Sequence, residues 1–486
     1  MRKLRIDLLL PAVICALSPD GYGAATEPNF SEHVAPIIFN NCTSCHRPGE
    51  AAPFTFMDYR EVKKRGRLIA KVVGKGFMPP WHAHSKDLQF DDARQLTSAQ
   101  IQTIEDWLSA GMPEGDRAKL PSLPEFTDGW QLGKPDLVVS MADSYAVPAE
   151  GPDIYRNFVI PLQLKEDKWI RAIEFRPGKR SVVHHSLFYY DTSGAARKMD
   201  GKEEEHGFRR LGQEFRRNAI GGWAVGGNPK MLPEGLAYRL PKGSDLILST
   251  HFHPSGKDES EVSTVGFHFS DEPPTQEFTH IQLPPLFGAL AGVMIPAGKA
   301  DYQKIDSIKL PVAVKALSVS AHAHYLGKSM QMTAHLPDGS KKEMISIPNW
   351  DFAWQEEYSY SLPVSLPAGT RLEANVIWDN SSDNIFNPND PPKPVRWGRE
   401  SDDEMGCVTV MVVPENPSDI AKLKNAYREH VRKAAGSAAA NRFGGSEKRR
   451  GSLLKRVVTQ FDKDGDGKLN AAEQAAARKH YRKNRF

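Results

Sequence analysis

From about residue 136 to residue 415 the chain runs as short segments rich in β-branched and aromatic residues. Turn dipeptides such as Pro177-Gly178, Asp338-Gly339 and Asn387-Pro388 cut it at close intervals. Phe158-Val159-Ile160, Leu246-Ile247-Leu248 and the run from Val408 to Val413 are typical. Short strands separated by turn signals point to sandwiches or barrels. About 280 residues exceed one sandwich of ~100 and suit two. The expectation is two tandem antiparallel β-sandwich (jelly-roll) domains, at 136–285 and 286–415.

The flanks have a different texture. Residues 26–118 contain three helical patterns: Ser31 to Phe39, Asp58 to Val73, and one opened by Thr97-Ser98-Ala99-Gln100 that runs through Ile104 and Trp107 to Gly111. They predict a small all-α domain. A Pro/Gly-rich linker spans 119–135, a helix follows at 416–433 after Pro417, and 434–451 reads as a flexible linker. Residues 452–486 form a separate C-terminal motif. At 1–25, Lys3 and Arg5 precede an apolar stretch from Leu8 to Leu17 and the small residues Gly23, Ala24 and Ala25, the pattern of a signal peptide for export to the periplasm or beyond. That stretch is too short to span a bilayer, which needs about 20 residues. Cys15 within it follows Ile14, not a small residue, so soluble export is favoured over lipidation.

Composition excludes some classes. A net charge of +3 gives no global pull toward nucleic acid. No later segment is apolar enough to cross a membrane. Beyond the signal stretch only Cys42, Cys45 and Cys407 remain, too few for a disulfide framework.

Cys42-Thr43-Ser44-Cys45-His46 is a C-x-x-C-H sequence. Two thiols at that spacing add to the two vinyl groups on one porphyrin edge, and the next imidazole ligates the iron. A zinc site would need two further ligands, and no second C-x-x-C exists. Covalently bound haem c is therefore expected. Met78, in Gly76-Phe77-Met78-Pro79-Pro80-Trp81, is the favoured sixth ligand, with His82 and His84 as rivals. The segment resembles class I cytochrome c domains.

Four further groups carry metal chemistry: His184-His185, His251 with His253, His322-Ala323-His324, and Met405 in Asp403-Glu404-Met405. On a strand, His-x-His puts both imidazoles on one face, whereas adjacent histidines point to opposite faces. His184 and His185 need a bend to share a metal. Imidazole suits copper and zinc, and a thioether ligand selects copper.

In this order the motifs resemble the catalytic core of the copper type II ascorbate-dependent monooxygenases, the family of peptidylglycine alpha-hydroxylating and dopamine beta-monooxygenases. Val183-His184-His185-Ser186-Leu187-Phe188 is similar to the family's double-His motif. His322-Ala323-His324-Tyr325-Leu326-Gly327-Lys328 is similar to its His-x-His motif, and Asp403-Glu404-Met405 to its methionine motif. The resemblance implies an electron-transfer copper on His184, His185 and His251. It implies a second, O2-activating copper on His322, His324 and Met405, the catalytic group. His253 is either an alternative ligand or a supporting neighbour. Where the amidating enzymes carry an arginine and a tyrosine for a peptide carboxylate, this chain has Ser320 and Thr409. Recognition of a peptide C-terminus is expected to be lost, with Lys328, Trp350, Trp354 and Arg396 as candidates to shape another pocket.

Asp462 to Glu473 fits a calcium-binding EF-hand loop, with Asp462, Asp464, Asp466, the Lys468 carbonyl and bidentate Glu473 as ligands. The combined expectation is a copper-dependent monooxygenase that hydroxylates an activated C–H bond of a small organic substrate with O2. Its electrons pass from an external donor through the attached haem. The rival readings are a non-catalytic haem/copper electron-transfer protein and a dehydrogenase that reduces the haem.

Overall fold

The computed structural model describes residues 27–438, apart from 49, 51, 92, 127–128 and 225–226, together with Glu473. The expected signal peptide at 1–25, most of the 434–451 linker and all the EF-hand residues except Glu473 lie outside the described residues. Within them the chain divides into two compact units. One holds residues up to Pro79 together with Gln95–Glu125; the other holds Pro80–Arg94 and everything from Phe126 on.

The first unit is built on helices. A single π-turn, Phe30–Val34, runs into the helix Ala35–Asn41. The helix Tyr59–Gly74 starts where the Asp58 side chain accepts the Glu61 N–H, and it buries Val62, Ile69, Ala70 and Val73, one face at three- and four-residue spacing. The helix Ser98–Ser109 opens with a reciprocal Thr97/Gln100 capping box and buries Ile104 and Trp107. Gly66 permits these helices to approach, because a Cβ there would lie 2.4 Å from Met112 Sδ and 3.3 Å from the Trp107 ring.

The second unit is β. Four four-stranded antiparallel sheets make up most of it. One is ordered Leu137–Ser140, Thr264–Ser270, Lys168–Arg176, Tyr238–Leu240; another Ile154–Pro161, Asp245–Phe252, Val183–Asp191, Ala219–Ala224. These two share a core that includes Phe158, Phe175, Phe188, Leu248, Phe252 and Phe267. The third is ordered Thr279–Leu283, Gly406–Pro414, Val314–Ala323, Glu357–Leu366, and the fourth Lys299–Lys309, Arg371–Asn380, Gly327–His335, Lys341–Ile347. Their shared core includes Val319, Met332, Val376, Trp378, Val408 and Val410. Arg371–Asn380 alternates half-buried and buried residues along its whole length, as a strand with one face on a core must. A helix at 420–438 drops Leu423 into the same core. No helix among the described residues is long and apolar enough to cross a membrane.

The expected fold class needs correction. The chain is mostly β, with 35% strand against 19% helix. No self-contained small all-α cytochrome c domain spans 26–118, so the class of all-α domain, two tandem β-sandwich (jelly-roll) domains and helical EF-hand does not describe the molecule. The physical reason is visible at residues 80–94, which leave the helices. Trp81 and Ala83 are buried in the core of the third and fourth sheets. His84 exchanges two backbone hydrogen bonds of 2.8 Å with Ser346, and Phe90 stacks on Tyr360 at 5.4 Å. Burying Trp81 there removes a large apolar surface from water that a short exposed loop would have left wet.

Gly406 begins the strand that follows the methionine motif, and a Cβ there would lie 2.2 Å from the fully buried ring of Trp378. Gly406→Ala is expected to destabilise the β unit by about 1–3 kcal/mol, the cost of overpacking a rigid core. Chemical unfolding of the two proteins side by side measures it; equal midpoints would show that Trp378 yields freely.

Candidate metal centre

The strands Val183–Asp191 and Asp245–Phe252 pair so that His185 stands directly opposite His251. The register shifts between Val183 and His185, a β-bulge that takes His184 out of regular alternation. This is the bend that two adjacent histidines need to face one point. His184 Nδ1 lies 3.1 Å from His185 Nδ1, and His251 Nδ1 lies 3.4 Å from the same atom. The three donor atoms fall within 4.8 Å of one another, a grouping that can hold a metal ion. Burial, reinforced by the His251 imidazole, pushes His184 down to about 3 and holds His185 well below its ordinary value. Both are neutral at pH 7, the protonation state a metal requires.

Asp153 backs this triad. Its Oδ2 lies 3.0 Å from His251 Nε2 and its Oδ1 2.7 Å from His253 Nδ1. Ser401 Oγ donates to Oδ2 as well. Burial alone would raise the carboxyl, but the bonds from His251, Ser401 and His253 outweigh it and keep Asp153 well below the usual carboxylate range. His251 Nε2 has this ion-pair contact but no hydrogen bond, while its Nδ1 faces His185 Nδ1; a carboxylate close behind a histidine is common at metal ligands. His253 stands outside the triad. Tyr155 stacks on His251 with ring centres 4.3 Å apart, and its hydroxyl donates to the Arg399 carbonyl at 2.6 Å.

The second cluster lies at the end of Val314–Ala323. The rings of His322 and His324 are 5.3 Å apart and nearly perpendicular. His322 Nδ1 bonds Gln355 Oε1 at 2.5 Å, and His324 Nδ1 bonds the Asp403 carbonyl at 3.1 Å. Both bonds leave Nε2 as the remaining donor, and His322 Nε2 is buried without a partner. Burial lowers His322 to about 4 against the raising effect of the Gln355 bond; burial and His322 together lower His324 to about 3. The strand Gly406–Pro414 pairs with this one so that Ala323 faces Gly406. Met405 directly precedes that strand, and His324 directly follows its partner. Glu404 secures the corner. Its fully buried carboxylate accepts the N–H groups of His324 (3.1 Å) and Leu326 (2.6 Å) and the indole N–H of Trp378 (3.0 Å), while burial raises its pKa to about 8.

One loop, residues 348–356, touches both clusters. Phe352 stacks on His184 with ring centres 4.4 Å apart, and its ring lies 5.6 Å from that of His324 and 4.6 Å from that of Tyr325. Gln355 holds His322. The imidazoles of His184 and His324 are therefore no more than about 10 Å apart, centre to centre. Of the residues expected to shape a pocket, Trp350 lines a cavity beside the triad. Lys328 is bonded to Ala300 and Asp379, and Arg396 pairs with Met294 in a two-stranded ribbon. Sequence reasoning missed Asp153, Phe352, Gln355 and the Glu404 clamp. Only Glu404 carried a signal, an acid beside the methionine that opens an apolar strand.

In the helical unit, Cys42 caps the helix Ala35–Asn41. The N–H groups of Cys45 and His46 both return to the Cys42 carbonyl, at 3.2 and 2.9 Å. Neither cysteine is in a disulfide. His46 Nδ1 bonds the Phe54 carbonyl at 3.0 Å, which leaves Nε2 as its ligand atom, and the ring stacks on Phe56 at 4.4 Å. Met78 packs half-buried on the same core as Cys42. The rival ligands His82 and His84 belong to the β unit. The residues present fit an axial haem ligand with a fixed tautomer.

Asp153→Asn removes the charge that orients His251. Copper(II) affinity at the triad is expected to fall about 10- to 100-fold, the usual cost of losing such a support. A competition titration against a chromogenic chelator reads this directly; unchanged affinity would show that His251 needs no orienting partner.

No protein-family model matches the chain, and no curated protein matches it. Among solved structures, PNGase F, a glycosylasparaginase from Flavobacterium meningosepticum, is 12% identical. It covers 58% of this chain and 96% of its own, with a TM-score of 0.27. The major capsid protein P2 from bacteriophage PM2 is 8% identical and covers 54% of this chain and 98% of its own, with a TM-score of 0.23. At such scores neither likeness bears on what this chain does.

Proposed function

We propose that the β unit is a two-copper monooxygenase that hydroxylates an activated C–H bond of a small organic substrate. O2 and two electrons are consumed, one oxygen atom entering the product and the other leaving as water with two protons. The observation that supports it most is the pair of histidine clusters. One gathers three Nδ1 atoms by means of a bulge, and the other presents two Nε2 atoms because Gln355 and the Asp403 carbonyl hold the opposite nitrogens.

Copper at such sites would supply one-electron transfer at the triad and O2 activation beside a thioether. The chain's own groups do the rest. Asp153 sets a carboxylate 3.0 Å behind His251 Nε2. Glu404 fixes the backbone on both sides of Tyr325 and carries Met405 next to it. Phe352 lies with its ring against His184 and near His324. In the helical unit Cys42 and Cys45 would bind haem c covalently, with His46 and Met78 as axial ligands. A one-electron carrier on the same chain stands at high effective concentration over the copper unit, so the haem relays electrons from an external donor. The chain is exported by its N-terminal signal, and the loop from Asp462 to Glu473 takes calcium.

Protein matured in an exporting host that attaches c-type haem tests this reading. The expected content is one haem and two coppers per chain. Met405→Ala is expected to lose or weaken one copper only, and substrate-dependent O2 uptake to fall at least about 100-fold with it. Haem reduced by substrate without O2 would instead favour a dehydrogenase. Copper content indifferent to Met405 would leave a haem/copper electron-transfer protein.

A further inference from the structure

The strap of residues 80–94 grips the loop 348–356, which serves both histidine clusters. His84 is bonded to Ser346, Trp81 meets Tyr358 edge-on with ring centres 5.0 Å apart, and Phe90 stacks on Tyr360. These contacts flank the loop, so both of its ends are fastened to the strap.

The last residue of the strap makes a further fastening. Arg94 Nη2 pairs with the Glu356 carboxylate and also donates to the Pro80 carbonyl at 3.3 Å. The Arg94 and Glu356 side chains are only 15% and 9% exposed. Burial pushes the Glu356 carboxyl up, while Arg94 and then Lys230 pull against it. Desolvation offsets much of the attraction in a buried pair, so its value lies in where it holds the chain.

Glu356 stands between two residues that face the other way, as successive side chains of an extended segment do. Gln355 Oε1 lies 2.5 Å from His322 Nδ1, and Glu357 accepts from Ser318 on the strand that carries His322. Drawing Glu356 onto Arg94 therefore turns Gln355 toward His322. The Phe352 carbonyl sets the amide the right way round: it accepts the Gln355 Nε2–H at 3.1 Å and leaves Oε1 for the imidazole. An amide oxygen only accepts, so His322 carries its proton on Nδ1 and its lone pair on Nε2.

The triad end of the loop has anchors of its own. The Trp350 N–H donates to the Lys328 carbonyl and the Ala353 N–H to Asp351 Oδ1, both at 2.9 Å. Phe352, whose ring lies on His184, falls between these two in sequence.

We propose that Arg94 is a positioning residue for the second histidine cluster: through Glu356 it holds Gln355 against His322 and so fixes the nitrogen that His322 offers to a metal. The inference rests on the two-metal part of the proposed function. Arg94 is remote in sequence from every residue of that cluster, and the next residue, Gln95, belongs to the helical unit.

Copper(II) titrations of the full-length protein against a chromogenic chelator separate the two sites, the second being the one that Met405→Ala weakens. Arg94→Met combined with Glu356→Met removes both charges and leaves neither buried alone. It is expected to weaken the second site about 10-fold and to leave the triad unchanged. Arg94→Lys keeps the charge and is expected to bind as wild type at both sites. Gln355→Met is expected to weaken the second site about 10- to 100-fold. Adding it to the Arg94/Glu356 variant is expected to give no more than its own effect, because one acts through the other. Four results would overturn the inference: an unaltered second site in the Arg94/Glu356 variant, equal weakening of both sites, Arg94→Lys as weak as that variant, or losses that multiply on combination. With two coppers in wild type, any of these leaves the monooxygenase reading standing. The expected selective losses without substrate-dependent O2 uptake do the reverse. A wild-type chain that takes copper at the triad alone defeats both.

Discussion

A carboxyl group with no exposure to water organises the second histidine cluster. Burying Glu404 is costly, and it is tolerated because three N–H groups from two separate elements converge on it. Those bonds fix the turn that follows His324, the indole of Trp378 and, through the next residue, the start of the strand Gly406–Pro414. Trp378 donates also to the Met405 carbonyl at 3.0 Å, so the methionine's backbone is held from two sides. Without an acceptor at 404, the backbone N–H groups of His324 and Leu326 would lose their acceptor, and the indole would keep only the Met405 carbonyl. The turn that follows His324 would then lose its anchor.

The first cluster uses different means to the same end. Its frame is a sheet, and the adjustment is one bulged residue. A carboxylate again stands behind it, but Asp153 is shared. It bonds His253, contacts His251 at 3.0 Å and accepts from Ser401, four residues before Met405. Tyr155 to Arg399 makes a parallel link. With Phe352 lying on His184 and near His324, the two clusters are joined through three short bridges, all of them side chains rather than strands.

Much of the histidine chemistry was legible because strand periodicity is simple: His322 and His324 had to share a face. The same rule set His184 and His185 on opposite faces. The bulge that unites them has no residue signature, since the shift arises from pairing with Asp245–Phe252 and not from anything at Val183. His253 bonds Asp153, an acid in a turn-like stretch that nothing marked. Phe352 and Gln355 follow a proline and a tryptophan in a loop, where no repeat tells which side chains turn inward. The helices Tyr59–Gly74 and Ser98–Ser109 were plain from capping residues and apolar spacing. Residues 80–94 were not, because their partners, Ser346 and Tyr360, are remote in sequence. Read locally, Pro79-Pro80-Trp81 is a loop between helices; only the distant sheet makes it a strap over a β core.

That strap decides how this chain can be divided. The boundary between the two units is crossed near residues 79, 94 and 125. No single cut separates them. A fragment ending after the helices would carry Trp81, Ala83 and Phe90 as an apolar strand with nothing to cover. One starting at the β unit would leave a slot in its core where Trp81 belongs. Simple end-to-end joining therefore cannot exchange either part without cutting through the other.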